Sequence, residues 1–220
     1  MLHEINQVAR DPRARDDFFE PAAASAWARG LWAPDTRRRL IFIVGAVAAG
    51  LVSIASAPGT IGLLGAGLAI VMLTIAVIDA RSFVIPDWLN AAGLALALIH
   101  AALAEPERVP AAMAWAVAVA ALRGAALAFA FLAIRSLYGR IRGRQGLGLG
   151  DVKLAGVAGA WLDWPIMPIA VEIAAFAALS TYALRQFMFR RRVRATNRVP
   201  FGLFLAPSIW VCWLLETTLF

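Results

Sequence analysis

Two aspartates in this sequence stand where an acid is costly. Asp151 closes the tetrapeptide Gly148-Leu149-Gly150-Asp151 and opens an apolar stretch, and Asp79 ends the apolar run that reaches it through Ile78. A carboxylate in hydrocarbon costs at least ~2.5 kcal/mol, so each needs a reason to be there. Gly148 and Gly150 give backbone conformations that other residues disfavour and let another chain approach closely. A permissive backbone beside a costly carboxylate suits a reactive group near a bound peptide. The bland reading of the tetrapeptide is a glycine loop with Asp151 as a helix N-cap. A second carboxylate at a second membrane boundary weighs against it. Two such acids, far apart in sequence, could share one site in which one activates water and the other polarises a scissile carbonyl.

The elements that must position these acids are membrane helices. Hydrophobic residues make up 61% of the chain and charged residues 16%, which points to a polytopic membrane protein of one domain and away from a basic nucleic-acid binder. The net charge of +7 comes from arginine, because Lys153 is the only lysine. Cys212 stands alone, so neither an internal disulfide nor a cysteine-rich zinc site is available. With only His3 and His100 to supply imidazole, a histidine metal site or a Ser-His triad is improbable.

Residues 1–39 form a polar arm of mixed charge with no signal-peptide core. Two readings stay open: an interfacial helix carried by Phe18, Phe19, Trp27, Leu31 and Trp32, or disorder around Pro12, Pro21 and Pro34. Spans are predicted over Leu40 to Ala57, Ile61 to Ile78, Trp88 to Ala104 and Pro110 to Ile134, each near the ~20 residues that cross a bilayer. Asp151 to Leu162 is apolar but short: either it starts within the glycine loop, or it is a half-span beside a water-filled cleft. Further spans run from Ile166 to Phe189 and from Phe201 to Phe220. Pro58-Gly59-Thr60, Glu105-Pro106-Glu107-Arg108 and Asp163-Trp164-Pro165 are the turns at the far ends.

Arginine placement orients the bundle. With the N terminus inside, the arm, the loop at Asp79, the loop at 135–150 and the loop at 189–199 hold nearly all the arginines. The outer turns hold Arg108 alone, as the positive-inside rule requires. Asp79 and Asp151 then both fall at the cytoplasmic boundary.

Three blocks in this order resemble the type IV prepilin peptidases, the bacterial branch of the GxGD membrane aspartyl peptidases. They are Asp79 with Ile85-Pro86-Asp87; Gly148-Leu149-Gly150-Asp151-Val152-Lys153-Leu154; and Pro200-Phe201-Gly202-Leu203-Phe204-Leu205-Ala206. The resemblance covers about residues 40–220. It implies Asp79 and Asp151 as the catalytic pair, with Gly148, Gly150, Lys153, Pro86, Asp87, Pro200, Phe201 and Gly202 as motif support. It implies cleavage of the basic leader from prepilins or pseudopilins at the cytoplasmic face. Such a substrate keeps its leader in the cytoplasm and its hydrophobic helix in the bilayer, with the scissile bond at the depth of the two acids. Three features depart from the pattern. The chain lacks the Cys-x-x-Cys domain that accompanies N-methyltransferase activity in larger members, Leu203 replaces a common proline, and the N-terminal arm has no recognised counterpart.

Asp87 has three readings: substrate contact, the true first acid, or the N-cap of the third span, which is preferred. Lys153 either tunes Asp151 or snorkels to headgroups. Arg123, in mid-span, needs a partner, and Glu172 is the candidate nearest in depth. Trp161, Trp164, Trp210 and Trp213 read as anchors or packing.

The expectation is an all-α polytopic bundle of about seven membrane segments, residues 40–220 forming the peptidase domain. Its partners would be prepilin or pseudopilin leader peptides, membrane lipids and pilus or secretion machinery, with no nucleic acid. No metal or cofactor is required, and the location is the bacterial inner membrane. The rival readings are a GxGD peptidase for other membrane substrates and a non-catalytic transport or assembly component.

Overall fold

Every regular element among the described residues is a helix. A computed structural model describes residues 36–57, 59–105, 109–143, 146–189 and 200–219. Its helices are α1 (Thr36–Ser56), α2 (Thr60–Ser82), α3 (Asp87–Leu103), α4 (Pro110–Arg142), α5 (Leu149–Trp161), α6 (Ile166–Phe189) and α7 (Gly202–Leu219). By length and composition, α1, α2, α4, α6 and α7 are apolar enough to cross a membrane, and α3 is a shorter apolar helix of 17 residues. The chain is a multi-pass membrane protein. Large apolar side chains face outward, among them Leu40, Val44 and Leu51 on α1 and Trp115, Leu122 and Phe129 on α4. Most of the arm (residues 1–35), Pro58, Arg108, Arg144 and the arginine cluster at 190–194 lie outside the described residues.

Local chemistry sets the helix ends. Gly59 takes φ 77 before α2, a conformation other residues rarely adopt. Phe83 ends α2 in the left-handed region, its N–H donating to the Asp79 carbonyl at 3.0 Å. Ile85 precedes a proline and so is held extended, and Pro86 opens α3. Pro110 occupies the first turn of α4, where its missing N–H costs nothing. Gly143 closes α4 at φ 63, its N–H on the Gly139 carbonyl.

The fourth helix corrects one expectation. The basic segment after Ile134 is not a loop: Arg135, Arg140 and Arg142 all lie on α4, which runs on to Arg142. No proline interrupts it, and arginine and leucine are good helix formers, so the helix persists past its apolar part. The connection to α5 is only residues 143–148; within it, Gly146 lies against the Tyr138 ring and the Leu147 carbonyl accepts from Arg135.

Leu40–Phe220 hold together as one unit, and α5 is its core. Leu154, Ala155, Ala158 and Ala160 are almost wholly buried between α4, α3 and α7. At 13 residues, α5 rises only about 20 Å, short of the ~30 Å hydrocarbon core. Its neighbours shield it, so its ends need not reach the bilayer surfaces. Close packing requires small residues there: a Cβ on Gly159 would lie 2.5 Å from the Arg123 carbonyl oxygen, and one on Gly124 2.7 Å from that of Gly156.

Candidate active site

The C-terminal end of α2 and the N-terminal ends of α3, α5 and α7 meet at one end of the bundle. Asp79 sits in the last turn of α2, only 4% exposed. Its Oδ2 accepts the Leu203 backbone N–H at 2.9 Å. Leu203 is in the first turn of α7, where backbone N–H groups lack helical partners and favour an anion. Phe201 supplies the carbonyl that accepts the Phe204 and Leu205 N–H groups, leaving those of Gly202 and Leu203 free for the site. The Phe201 ring packs on Phe131 of α4, centroids 6.3 Å apart.

Asp151 sits in the first turn of α5. It is not the N-cap; Gly148 is, and the Asp151 Oδ2 reaches back to accept the Gly148 N–H at 3.0 Å. Glycine has no side chain to return the second bond of a capping box, so only this half forms. Asp79 and Asp151 are near enough to act on each other electrostatically, and the Gly202 N–H interacts with both carboxylates. The two acids thus lie beside the first turn of α7, which bonds directly to Asp79 through the Leu203 N–H.

Ile85 is the residue that sequence reasoning passed over. It is 7% exposed and wedged between the two glycine blocks. A Cβ on Gly150 would lie 3.0 Å from the Ile85 Cβ. One on Gly202 would lie 2.7 Å from the Ile85 Cδ1 and 2.9 Å from the Asp79 Oδ2. The motif glycines are therefore needed for close approach. Their conformations are ordinary: Gly148 has φ −72, and Gly150 and Gly202 are helical. The signal was present as Ile-Pro in the first block, but which chain it touches depends on the fold.

Asp87 and Lys153 stand apart from the acids. Asp87 is the first residue of α3, Pro86 holds the N-cap position, and no side-chain cap bond forms. This corrects the N-cap expectation: proline already fixes the turn, and the Asp87 Oδ1 takes the Lys153 Nζ at 2.6 Å instead. Pro200 lies in the segment entering α7.

Arg123 does not pair with Glu172, which is exposed on α6. Arg123 binds Asp163 in the α5–α6 turn and interacts with Glu216 of α7, whose Oε1 accepts the Asp163 N–H at 3.2 Å. The depth argument compared spans and left out the turn that supplies the acid. Trp161 and Trp213 are buried packing residues against His100. Trp210 donates to the Ser53 hydroxyl at 2.9 Å, and Trp164 is exposed. Among the described residues, no group of three or more His, Cys, Asp or Glu side chains could hold a metal ion.

Known proteins match this sequence. The model of the type IV leader peptidase family matches residues 66–183, more than half the chain and both acids. The chain belongs to the type IV leader peptidase family. A prepilin leader peptidase/N-methyltransferase of Burkholderia pseudomallei is 35% identical over 165 residues, covering 74% of this chain and 50% of that protein. Leader peptidase HopD of Salmonella typhimurium is 32% identical over 136 residues, 62% of this chain and 82% of its own length. A prepilin leader peptidase/N-methyltransferase of Aeromonas hydrophila is 28% identical over 198 residues, 84% and 61%. The chain spans about half the length of the Burkholderia relatives it matches. No solved structure matches it.

Proposed function

We propose that this member of the leader peptidase family is an aspartyl endopeptidase of the bacterial inner membrane. It removes the basic leader of prepilins or pseudopilins at the cytoplasmic face. One observation carries the reading: at one end of a membrane bundle, Asp79, held by the Leu203 N–H at 2.9 Å, and Asp151, held by the Gly148 N–H at 3.0 Å, are near enough to act on each other electrostatically although their helices are far apart in sequence. Of Asp79 and Asp151, one takes a proton from the attacking water and the other protonates the departing amine, the pair titrating as a unit. The first-turn N–H groups of α7 hold the acids in place, and Ile85 packed on Gly150 and Gly202 keeps the two helix ends in register. Gly148, Pro86, Pro200 and Phe201 support this geometry, and Asp87 and Lys153 pair with each other outside it. Residues 40–220 are the peptidase domain. Residues 1–39 tether it to the membrane surface or to secretion proteins.

Leader removal suits the site's depth. The substrate's apolar helix stays in the bilayer, its basic leader stays outside, and the bond between them reaches the boundary where the acids lie. The test is to incubate the purified protein with candidate prepilins and sequence the product's new N terminus. A cut between the basic leader and the apolar helix supports the reading; intact substrate, or a cut within the apolar helix, contradicts it.

A further inference from the structure

Glu172 is the one acid of α6, and the active site does not use it. The apolar part of α6 is Ile166–Leu184, 19 residues, or about 28 Å, close to the ~30 Å hydrocarbon core. Glu172 comes six residues after Ile166, about 9 Å in from the boundary opposite the active-site acids. A glutamate side chain reaches only about 5 Å from its Cα, so this carboxyl does not regain water by snorkelling. It is exposed on the outside of the bundle, and nothing among the described residues pairs with it.

Its neighbours on that side recur with a coiled-coil spacing. Ile169, Glu172, Phe176, Leu179 and Ala183 follow one another at intervals of three, four, three and four residues. That repeat is the seam along which two helices wind together. Phe176 and Leu179 are 68% and 63% exposed. The buried side of α6, at Ala170 and Ala174, lies about 160–200° round the helix from Glu172 and is already taken by the bundle. Lipid covers the apolar members of the seam but offers the carboxyl neither donor nor acceptor.

The occupant must answer the carboxyl at its own depth. A second copy of the chain inserts with the same orientation, so it brings its own Glu172 to the same level. A carboxyl in hydrocarbon sheds its charge by holding a proton, and a protonated carboxyl both donates and accepts. Two of them facing each other across a two-fold axis satisfy both, each O–H donating to the other's oxygen. That is the self-complementarity an isologous interface needs. One polar residue in an apolar seam also fixes register and the number of partners. A foreign helix would have to carry its own costly base at the same depth.

We propose that the outer face of α6 is a self-association surface: two copies of the chain pair along Ile169, Glu172, Phe176, Leu179 and Ala183, the two Glu172 carboxyls bonded to each other across the axis. This inference stands apart from the proteolytic reading, and its test does not use cleavage.

The test is single-molecule photobleaching of the full chain, one dye at each N terminus, in phosphatidylethanolamine–phosphatidylglycerol bilayers at falling protein-to-lipid ratios. Wild-type spots should bleach in two steps. Glu172→Leu should shift the dilution at which pairs give way to single steps by about fivefold to thirtyfold, the worth of a polar contact between membrane helices. Glu172→Gln should keep the pairs, because an amide also donates and accepts. Glu172→Lys should bleach in single steps alone, yet form two-colour pairs when mixed with wild type, where a cation meets an acid. In a Cys212→Ser background, Leu179→Cys should cross-link between copies on oxidation and Ile173→Cys, about 120° round from it, should not. Five results would each overturn the proposal: single steps in the wild type throughout, Glu172→Leu pairing as tightly as wild type, Glu172→Gln losing the pair, no two-colour pairs between Glu172→Lys and wild type, or cross-linking at Ile173→Cys and not at Leu179→Cys.

Discussion

Replacing Gly202 by alanine should slow cleavage about tenfold to a hundredfold while leaving the protein folded. The new Cβ would meet the Ile85 Cδ1 at 2.7 Å, the Asp79 Oδ2 at 2.9 Å and the Asp79 Cγ at 3.1 Å. Ordinary carbon contacts begin at about 3.5 Å, so all three neighbours must move. The Ile85 Cδ1 is the far end of a flexible side chain and can rotate away. The Asp79 carboxylate cannot do so freely, because its Oδ2 holds the Leu203 N–H at 2.9 Å. A retreat of about 0.5 Å stretches that bond beyond the usual 2.7–3.2 Å range and reaches the tolerance within which a catalytic constellation must be held. Misplacement by about 1 Å costs about a hundredfold in rate, so the loss in kcat should be between about tenfold and a hundredfold, or about 1.4–2.7 kcal/mol. Overpacking costs about 1–3 kcal/mol, less than the roughly 5–15 kcal/mol by which a domain is stable, so the fold should survive. The assay is leader cleavage followed by gel shift, with kcat and KM measured separately and helix content checked by circular dichroism. Ile85→Val, which removes Cδ1, should partly restore kcat in the Gly202→Ala background. Wild-type kcat in Gly202→Ala, or a loss confined to KM, would refute the argument that the glycine makes room for the carboxylate.

The other expectations are quickly stated. Cleavage should follow a bell-shaped pH profile, because a fully protonated pair lacks its base and a fully ionised pair lacks its acid; a rate unchanged across the carboxylate range contradicts a dyad. Metal chelators should leave the rate unchanged, and a loss restored by added metal would place an ion in the mechanism. In double-mutant cycles read by thermal melting, Arg123→Leu should couple to Asp163→Asn and Glu216→Gln and not to Glu172→Gln; coupling to Glu172 alone would contradict the observed cluster. Cys212 is the only cysteine in the sequence, so the chain holds none of the Cys-x-x-Cys pairs that the resemblance ties to N-methyltransferase activity. Mass spectrometry of pilin processed by this protein with S-adenosylmethionine should therefore find a free α-amine, and a methylated product dependent on this protein would overturn that.

The helices were legible where apolar runs ended in turn residues. The span from Ile166 to Phe189 became α6, and Asp151 to Leu162 became the short α5, one or two residues out at its ends. The end of α4 was hidden because charge was taken to mark a loop, whereas arginines on a good helix former simply extend it. That Asp79 and Asp151 share a depth followed from counting spans. That the first turn of α7 bonds to Asp79 did not, since the contact depends on how the first turn of one helix meets the last turn of another. The wedge at Ile85 and the pairing of Asp87 with Lys153 were out of reach for the same reason. Arg123 shows the limit most plainly: its partner Asp163 is a turn residue, brought to it by tertiary packing.

The central claim is that Asp79 and Asp151 are both required for cleavage. Its most direct test is to purify Asp79→Asn, Asp151→Asn and Asp87→Asn, show each folded by circular dichroism, and follow processing of one prepilin by gel shift. The account predicts no product from the first two and substantial processing by Asp87→Asn, whose exposed pair with Lys153 contributes little. Cleavage by either of the first two variants, or a dead Asp87→Asn beside an active Asp79→Asn, would contradict it.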